Sequence, residues 1–195
     1  MKNERIVLEG QYVELLPMEY EYLENLVQAG LDEQIWTYMP TKAANKDKMK
    51  MLVTQAMSNR ETGVEYPFVI KSKEHDRIIG STRFLDISLP NKNLEIGWTW
   101  LNPSVWRSAV NTECKLLLME YCFETLGLNR VMLKTDSRNN RSRTAILRLG
   151  AKEEGTMRMH RVLEDGYIRD TVMFSVIKPE WPGVKERLIH YLKKA

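Results

Sequence analysis

Asn93-Leu-Glu-Ile-Gly-Trp-Thr-Trp100 and the segment after it, Leu101-Asn-Pro-Ser-Val-Trp-Arg-Ser-Ala-Val-Asn-Thr-Glu113, decide the fold of this 195-residue chain. The first stretch is rich in β-branched and aromatic residues, which is typical of a strand. From about residue 110 to residue 126 the apolar period becomes helical. A short strand, Arg130-Val-Met-Leu-Lys-Thr135, follows that helix. Strand, helix and strand in this order predict a parallel pair, with residues 95–100 beside residues 131–135.

The helix predicted over residues 110–126 separates its faces by polarity. One face carries Cys114, Leu117, Leu118, Tyr121 and Cys122, and another carries Glu113, Glu120 and Glu124. Cys114 and Cys122 are eight residues apart on this helix, which is too far along the axis for a disulfide. Free thiols in a reducing compartment, and no apolar segment behind the N-terminus, predict a cytoplasmic protein.

Strands and helices on both sides of this unit complete the predicted sheet. Upstream we expect a strand over residues 11–17, two or three short helices over 18–60, and strands over 66–71 and 77–85 that form an antiparallel meander with 93–100. Downstream we expect a helix over 140–149 stopped by Gly150, strands over 152–163 and 168–177 joined by an Asp165-Gly166 turn, and a closing helix over 179–195. No repeat or linker appears, so residues 1–195 are predicted to form one domain.

Composition argues against several classes of function. The net charge is +3 with a pI near 8.8, which falls short of the signature of a nucleic-acid-binding protein. Apolar runs are far too short to span a membrane, and the three isolated histidines predict no metal site. Basic residues crowd one region: Arg130, Lys134, Arg138, Arg141, Arg143 and Arg148, then Arg158, Arg161 and Arg169. They form either solvated helix faces and strand rims or a site for a polyanion such as a nucleotide phosphate.

The segment 101–113 is the predicted place for such a ligand. Ligands of α/β sheets gather at the carboxyl ends of parallel strands, close to helix N-termini. Backbone N–H groups at the start of a helix lack partners, and together with the helix dipole they favour an anionic guest such as a pyrophosphate.

Several motifs in order carry a family resemblance: Glu-Ile-Gly-Trp at 95–98, Asn-Pro-x-x-Trp at 102–106, Asn-Thr-Glu at 111–113, and Asn-Arg-Ser-Arg at 140–143 before Leu-Gly at 149–150. From about Val13 to Ser175 the chain resembles the GNAT acetyltransferases, and within them the branch of ribosomal-protein N-terminal (RimJ/RimL-type) acetyltransferases. The resemblance implies an α/β (α+β) fold with a mixed, mostly antiparallel sheet, one central parallel pair and helices on both faces. It also implies acetyl-CoA as cosubstrate, an amine acceptor and no metal.

Carried over residue by residue, the resemblance implies a set of CoA-binding positions. They are Trp100, Leu101, Trp106, Arg107, Ser108, Ala109, Val110, Asn111, Thr112, Asn139, Arg141 and Ser142. The pyrophosphate loop departs from the family pattern, because Ala109 and Asn111 stand where glycines are usual and Trp106 replaces a basic or amide residue. Side chains of Arg107 and Ser108 are expected to replace the lost contacts.

Two residues are the candidate catalytic groups implied by the resemblance. Glu95 is the expected base that accepts a proton from the amine, and Ser142 the expected donor to the departing CoA thiolate. The alternatives are an exposed glutamate on a half-wet sheet and a serine that caps its helix. Asn139 likewise either bonds the pantetheine arm or caps the same helix. A backbone N–H between Trp98 and Trp100 is expected to stabilise the oxyanion.

Trp36, Trp98 and Asp170 are the candidate acceptor-site residues. The tryptophans form either the wall of the acceptor pocket or part of the core. Asp170 either holds a cationic amine or pairs with Arg169 or Arg161.

Direct acetyl transfer from acetyl-CoA to a primary amine is the function that this sequence predicts. The acceptor stays open between a protein N-terminus, an amino acid, a polyamine and an aminoglycoside-like molecule, because one fold serves all of these. The altered loop keeps a second hypothesis open, a non-catalytic acyl-CoA-binding regulatory module, and a third, a protein that has lost CoA. Similar proteins are often dimers, so a homodimer is one expectation.

Overall fold

The computed structural model describes residues 4–194, which form an eight-stranded sheet in the order β1-β2-β3-β4-β5-β6-β8-β7. The strands are β1 (Leu8–Glu9), β2 (Val13–Pro17), β3 (Tyr66–Ser72), β4 (Arg77–Ser88), β5 (Asn93–Leu101), β6 (Arg130–Asp136), β7 (Lys152–Val162) and β8 (Ile168–Ile177). The helices are α1 (Leu23–Ala29), α2 (Lys46–Thr62), α3 (Val110–Glu120), α4 (Asn140–Leu149) and α5 (Trp181–Leu192). Residue 195, the end of the predicted closing helix, and residues 1–3 lie outside the described part.

Strand directions confirm the predicted mixed sheet. Neighbours from β1 to β5 are antiparallel, β5 and β6 are parallel, and β8 runs antiparallel to both β6 and β7. The β7–β8 hairpin turns at Gly166, whose φ of +80° suits glycine, and α4 ends at Gly150 with φ of +106°. Both stops match the sequence-based expectation.

The parallel pair is shorter than predicted. Only residues 93–95 of β5 pair with residues 130–132 of β6, so of the expected pairing of 95–100 with 131–135 only Glu95 with Met132 is formed, and the part beyond Glu95 is wrong. A bulge explains the difference: Trp98 has φ of +49°, and the β4–β5 register shifts between the pairs Ser81–Trp100 and Arg83–Gly97. An extra residue bends its strand and increases the local twist. The carboxyl-terminal part of β5 therefore separates from β6.

Two apolar clusters place helices on both faces of the sheet, as expected. One cluster includes Cys114, Leu118, Ile146 and Leu188 from α3, α4 and α5. The other includes residues of α1 and α2 such as Leu26 and Val53. Sheet residues are buried under both layers, which fixes the register of the strands.

The helices differ from the sequence prediction in two details. The segment 18–60 holds the predicted short helices as α1 and two 3-10 helices, Tyr20–Tyr22 and Glu33–Trp36, and it then enters α2, a longer single helix of 17 residues. The helix predicted over 110–126 is α-helical to Glu120 and ends in a π turn, Tyr121–Thr125. No helix among residues 4–194 is both long and apolar enough to span a bilayer.

Both cysteines are buried and free, as predicted from their spacing. Burial raises the pKa of the Cys114 thiol to about 12. A thiol that keeps its proton is a weak nucleophile, so Cys114 is a core residue.

Glu113 corrects the predicted division of the helix faces. Its side chain is buried instead of lying on a polar face with Glu120 and Glu124. The carboxylate accepts backbone N–H bonds from Gln11, Tyr12 and Val13 at 2.7 to 2.8 Å. Glu113 therefore ties the start of β2 to α3.

Candidate active site

A cleft of about 970 Å³ opens where β5 and β6 separate. Its walls come mainly from β5 and β6, from the loop before α3 with α3 itself, from α4, and from the segment 34–40. Glu65, the end of β4 and the β7–β8 hairpin add further lining residues. The cleft thus lies at the carboxyl ends of the parallel strands, where the sequence predicts a ligand.

Glu95 is buried in this cleft, with 2% of its surface exposed, so the alternative of an exposed glutamate is wrong. Lys134 Nζ lies 2.7 Å from Glu95 Oε2. Burial raises the pKa of Glu95, and the positive charge of Lys134 opposes that rise. A side chain on residue 97 would collide with the Glu95 carboxylate, so the space beside it depends on Gly97. A carboxylate with a raised pKa is better suited to accepting a proton than an ordinary one.

Lys115 is a cleft residue that the sequence analysis missed. It is 5% exposed, and its Nζ donates to Thr99 Oγ1 at 2.7 Å. Thr99 in turn shares a 2.8 Å hydrogen bond with the Thr82 hydroxyl. Burial lowers the pKa of Lys115 to about 8, and no carboxylate of the described residues pairs with it. A signal was present, since Lys115 lies in line with Leu118 and Cys122 on the apolar face of α3 and the π turn that follows it.

The loop before α3 is held by its own side chains. Trp106 Nε1 donates to Leu101 O at 2.9 Å, and the Arg141 guanidinium lies 3.8 Å from the centre of the Trp106 ring. Arg107 is exposed beside the cleft in the left-handed region, with φ of +63°. Ser108 Oγ donates to Val105 O at 2.7 Å, so part of its bonding capacity is already used.

Nine of the twelve predicted CoA positions line the cleft. They are Trp100, Leu101, Trp106, Arg107, Ser108, Asn111, Asn139, Arg141 and Ser142. Ala109, Val110 and Thr112 do not, because the first turn of α3 directs them into the protein. Thr112 Oγ1 accepts a hydrogen bond from Arg148 at 2.7 Å.

The N-terminus of α4 brings a hydroxyl to the cleft. Asn139 Oδ1 accepts from the Ser142 N–H at 3.0 Å, so Asn139 caps the helix, which was one of its two predicted roles. The Ser142 hydroxyl makes no hydrogen bond to another described residue. It is therefore free to donate to a ligand.

Two of the three predicted acceptor residues lie elsewhere. Trp36 is 1% exposed and belongs to the core, with its Nε1 donating to Gly30 O at 2.8 Å. Asp170 does not line the cleft, and its carboxylate accepts from the Met159 N–H at 2.7 Å instead of pairing with Arg161 or Arg169. Trp98 does line the cleft, 4.8 Å beneath the Arg83 guanidinium.

The segment 34–40 supplies the wall that Trp36 was expected to form. Gln34, Ile35, Tyr38 and Met39 line the cleft in its place. Among residues 4–194, no three His, Cys, Asp or Glu side chains are grouped as metal ligands.

A family model and related sequences place the chain in the same family that the sequence motifs predict. A family model described as Acetyltransferase (GNAT) domain matches residues 13–152. Uncharacterized N-acetyltransferase p20 of Bacillus licheniformis is 29% identical over 180 residues, which cover 90% of this chain and 100% of that protein. The protein named "Putative ribosomal N-acetyltransferase YdaF" of Bacillus subtilis (strain 168) is 35% identical over 95 residues, which cover 49% of this chain and 51% of that protein.

The fold of this chain also matches that of a solved acetyltransferase structure. A GCN5-related N-acetyltransferase from Brucella melitensis superposes with a TM-score of 0.91 at 29% identity, covering 98% of this chain and 87% of the other. The predicted family and fold are thereby confirmed, and the resemblance to the ribosomal-protein branch is matched by YdaF over about half of the chain. The chain belongs to the GNAT family of acetyl-CoA-dependent N-acetyltransferases.

Proposed function

We propose that this protein transfers the acetyl group of acetyl-CoA to a primary amine by direct attack in a ternary complex. One observation carries the proposal: Glu95, a buried carboxylate with a raised pKa, faces the cleft where β5 and β6 separate. The acceptor is a protein N-terminus or a small molecule. The cytoplasmic location of the protein and its assembly as a homodimer stay predictions.

Glu95 is the proposed base. An amine attacks a thioester only after losing its proton, and a carboxylate with a raised pKa accepts that proton more readily than an ordinary one. Lys134, in a 2.7 Å ion pair with Glu95, opposes the rise in the pKa of Glu95 and so favours the charged, proton-accepting form. Proton transfer occurs either directly or through one water molecule.

The bulge of β5 is the proposed oxyanion site. The register shift leaves Trp98 and Thr99 without partners on β4, so their N–H groups are candidates to donate to the thioester oxygen. Lys115, bonded to Thr99, adds positive charge on the α3 side of the bulge. Such donors stabilise negative charge most strongly where water is excluded.

The remaining cleft residues fit CoA itself, which supplies the activated acetyl group. Arg107 and Arg141 bring positive charge to the loop and to α4, where a pyrophosphate would meet free N–H groups at the start of α3. Ser142, with its free hydroxyl, is the proposed proton donor to the departing thiolate.

Calorimetric titration with acetyl-CoA, followed by an amine panel with CoA release as readout, tests this proposal. Micromolar binding and release with one class of amine are expected. The loop residues Ala109 and Asn111, where the family pattern has glycine, favour a second candidate function, an acyl-CoA-binding regulatory module. Tight binding without release for any amine would support that module and overturn direct transfer. Absence of binding would overturn both.

A further inference from the structure

Arg161 and Arg169 face each other across the β7–β8 hairpin. They are paired in register, and both side chains line the cleft. Like charges directly opposite on neighbouring strands destabilise a sheet. The arrangement is therefore unfavourable in the free protein unless an anion lies between the two guanidinium groups.

Arg169 is buried without any partner. It is 6% exposed, and its Nε is a buried donor with no hydrogen bond. The guanidinium makes no ion pair with any residue that the structure describes. Burial lowers its pKa, the charge of Asp136 partly opposes that drop, and the nearby charge of Arg161 acts in the same direction as burial. A buried donor left unpaired costs free energy, which a bound acceptor would recover.

The carboxylates around Arg169 are already occupied. Asp136 holds Arg138 through contacts of 2.8 and 3.0 Å, and Glu95 holds Lys134 at 2.7 Å. Asp86, 70% exposed, lies 3.8 Å from Lys134. Asp136 and Glu95 therefore offset the positive charge of the arginine pair only in part, because each already has a cationic partner.

The arginine pair shares a sheet face with Glu95. Lys134 pairs with Met173 in register, and side chains at every second residue of a strand lie on one face, so Arg169 lies on the face of Lys134. The contact between Lys134 and Glu95 places the proposed base on that face too. The arginines consequently lie on the acceptor side of the cleft.

We propose that Arg161 and Arg169 bind an oxyanion, a carboxylate or a phosphate, that belongs to the acceptor amine. The substrate class is then an acidic amine, whose amino group reaches Glu95 while its anionic group lies between the two guanidiniums. This proposal rests on the proposed acetyl transfer. Guanidinium groups suit the role because their planar N–H donors match both oxyanions in two-point hydrogen bonds.

Matched acceptors test the proposal with acetyl-CoA and CoA release as the readout. The panel compares aspartate and glutamate with asparaginamide and glutaminamide, which carry no carboxylate, and O-phosphoserinamide with serinamide, which differ only in the phosphate. We expect kcat/KM to be at least tenfold higher for the anionic member of at least one pair. The carboxylate and phosphate arms show which oxyanion the site prefers.

Two variants and a control identify the residues. Arg169→Gln should reduce the anionic-to-neutral ratio at least fivefold, mainly through KM for the anionic amine. Arg161→Gln, at an exposed position, should do the same without disturbing the core. Arg158→Gln, on the same strand but outside the cleft, should leave the ratio unchanged. A loss of structural integrity would lower turnover of both members of a pair equally.

The outcomes separate this proposal from the proposed function. An anionic-to-neutral kcat/KM ratio close to one in the parent protein would overturn the oxyanion site alone, provided that turnover is intact. An unchanged ratio in both cleft variants would do the same. If no amine released CoA, acetyl transfer would fail, and calorimetry of glutamate and O-phosphoserine on the CoA complex would decide the site. Binding that Arg161→Gln weakens supports it, and absence of binding overturns it.

Discussion

Two glutamates, Glu113 and Glu95, are buried to nearly the same degree, with 4% and 2% exposure, yet their surroundings differ. Glu113 lies where α3 meets the start of β2, and its carboxylate accepts three backbone N–H bonds. Glu95 lies at the cleft and has one partner, the Lys134 ammonium. Gly10 packs so closely on the Glu113 carboxylate that a Cβ there would collide with it.

The comparison shows that burial alone does not mark a functional carboxylate. A carboxylate can accept about four hydrogen bonds, and Glu113 has used most of this capacity within the protein. Glu95 keeps free capacity and an opening towards the ligand. Unsatisfied polar groups beside a cleft are therefore better candidates for chemistry than saturated ones.

Replacing Glu113 should produce the largest effect, and it should be an effect on stability. Glu113→Leu leaves three N–H groups without an acceptor, which should lower the free energy of unfolding by roughly 4 kcal/mol. Urea denaturation at pH 7 measures the loss. Glu120→Gln is the matched control, since Glu120 makes a half-exposed ion pair with Lys185 and should cost less than about 1 kcal/mol. Equal losses in the two variants would contradict the structural role of Glu113.

The contrast between the two glutamates also marks the limit of sequence analysis. Periodicity predicted the helices and strands around both residues, and the βαβ rule predicted the parallel strands that create the cleft. The partners of Glu113 are about 100 residues away in sequence, so nothing local to α3 reveals its burial. Composition likewise cannot show that the backbone at Trp98 adopts a positive φ.

Individual site residues show the same limit. The family pattern placed Glu95, Arg107 and Ser142 at the cleft, because those residues follow directly from the strand ends and helix starts that it specifies. Trp36 and Asp170 were misplaced, because the loop that carries Trp36 and the bulged strand beside Asp170 decide which neighbours face the cleft. Such choices depend on tertiary packing rather than on spacing.

A second contrast concerns the lysines of the cleft, Lys134 with a carboxylate and Lys115 without one. The folded protein lowers the pKa of Lys115 from its ordinary 10.5 to about 8. One pKa unit is about 1.4 kcal/mol, so Lys115→Met should raise stability by roughly 3 kcal/mol at pH 7. Between pH 8 and 10.5 the Lys115 ammonium keeps its proton only in the unfolded chain, so the stability of the parent rises with pH. The advantage of Lys115→Met over the parent should therefore disappear across this range.

Unfolding measured from pH 7 to pH 10.5 tests this prediction. Lys134→Met is the matched comparison and should destabilise the protein, because it leaves Glu95 buried without its ion-pair partner. A Lys115→Met protein less stable than the parent at pH 7 would show that the hydrogen bond to Thr99 outweighs the cost of the buried charge.

The Glu95 side of the comparison is tested by kinetics. Glu95→Gln should lower kcat about 100-fold while the Kd for acetyl-CoA stays unchanged, because only the proton acceptor is lost. Burial raises the pKa of Glu95, so kcat of the parent should fall as pH drops through that raised pKa. The difference should shrink at high pH, where the amine loses its proton unaided. Indistinguishable pH profiles for parent and variant would remove Glu95 from the mechanism; Glu153→Gln, an exposed substitution, serves as control.

Arg107 should give the smallest effect and the finest distinction between structural and ligand-directed groups. Its φ of +63° suits glycine better than arginine, so Arg107→Gly should raise stability by up to about 1 kcal/mol, whereas Arg107→Ala should not. Both variants should weaken acetyl-CoA binding about fivefold at low salt, with the difference fading at high salt as screening increases. Titration calorimetry at two ionic strengths measures the affinity for acetyl-CoA, and scanning calorimetry measures the stability. Stability and affinity then change in opposite directions in Arg107→Gly. This pattern is expected of a residue whose backbone is held in a strained conformation so that its side chain can contact a ligand. Unchanged affinity in both variants would mean that backbone N–H groups alone hold the phosphates.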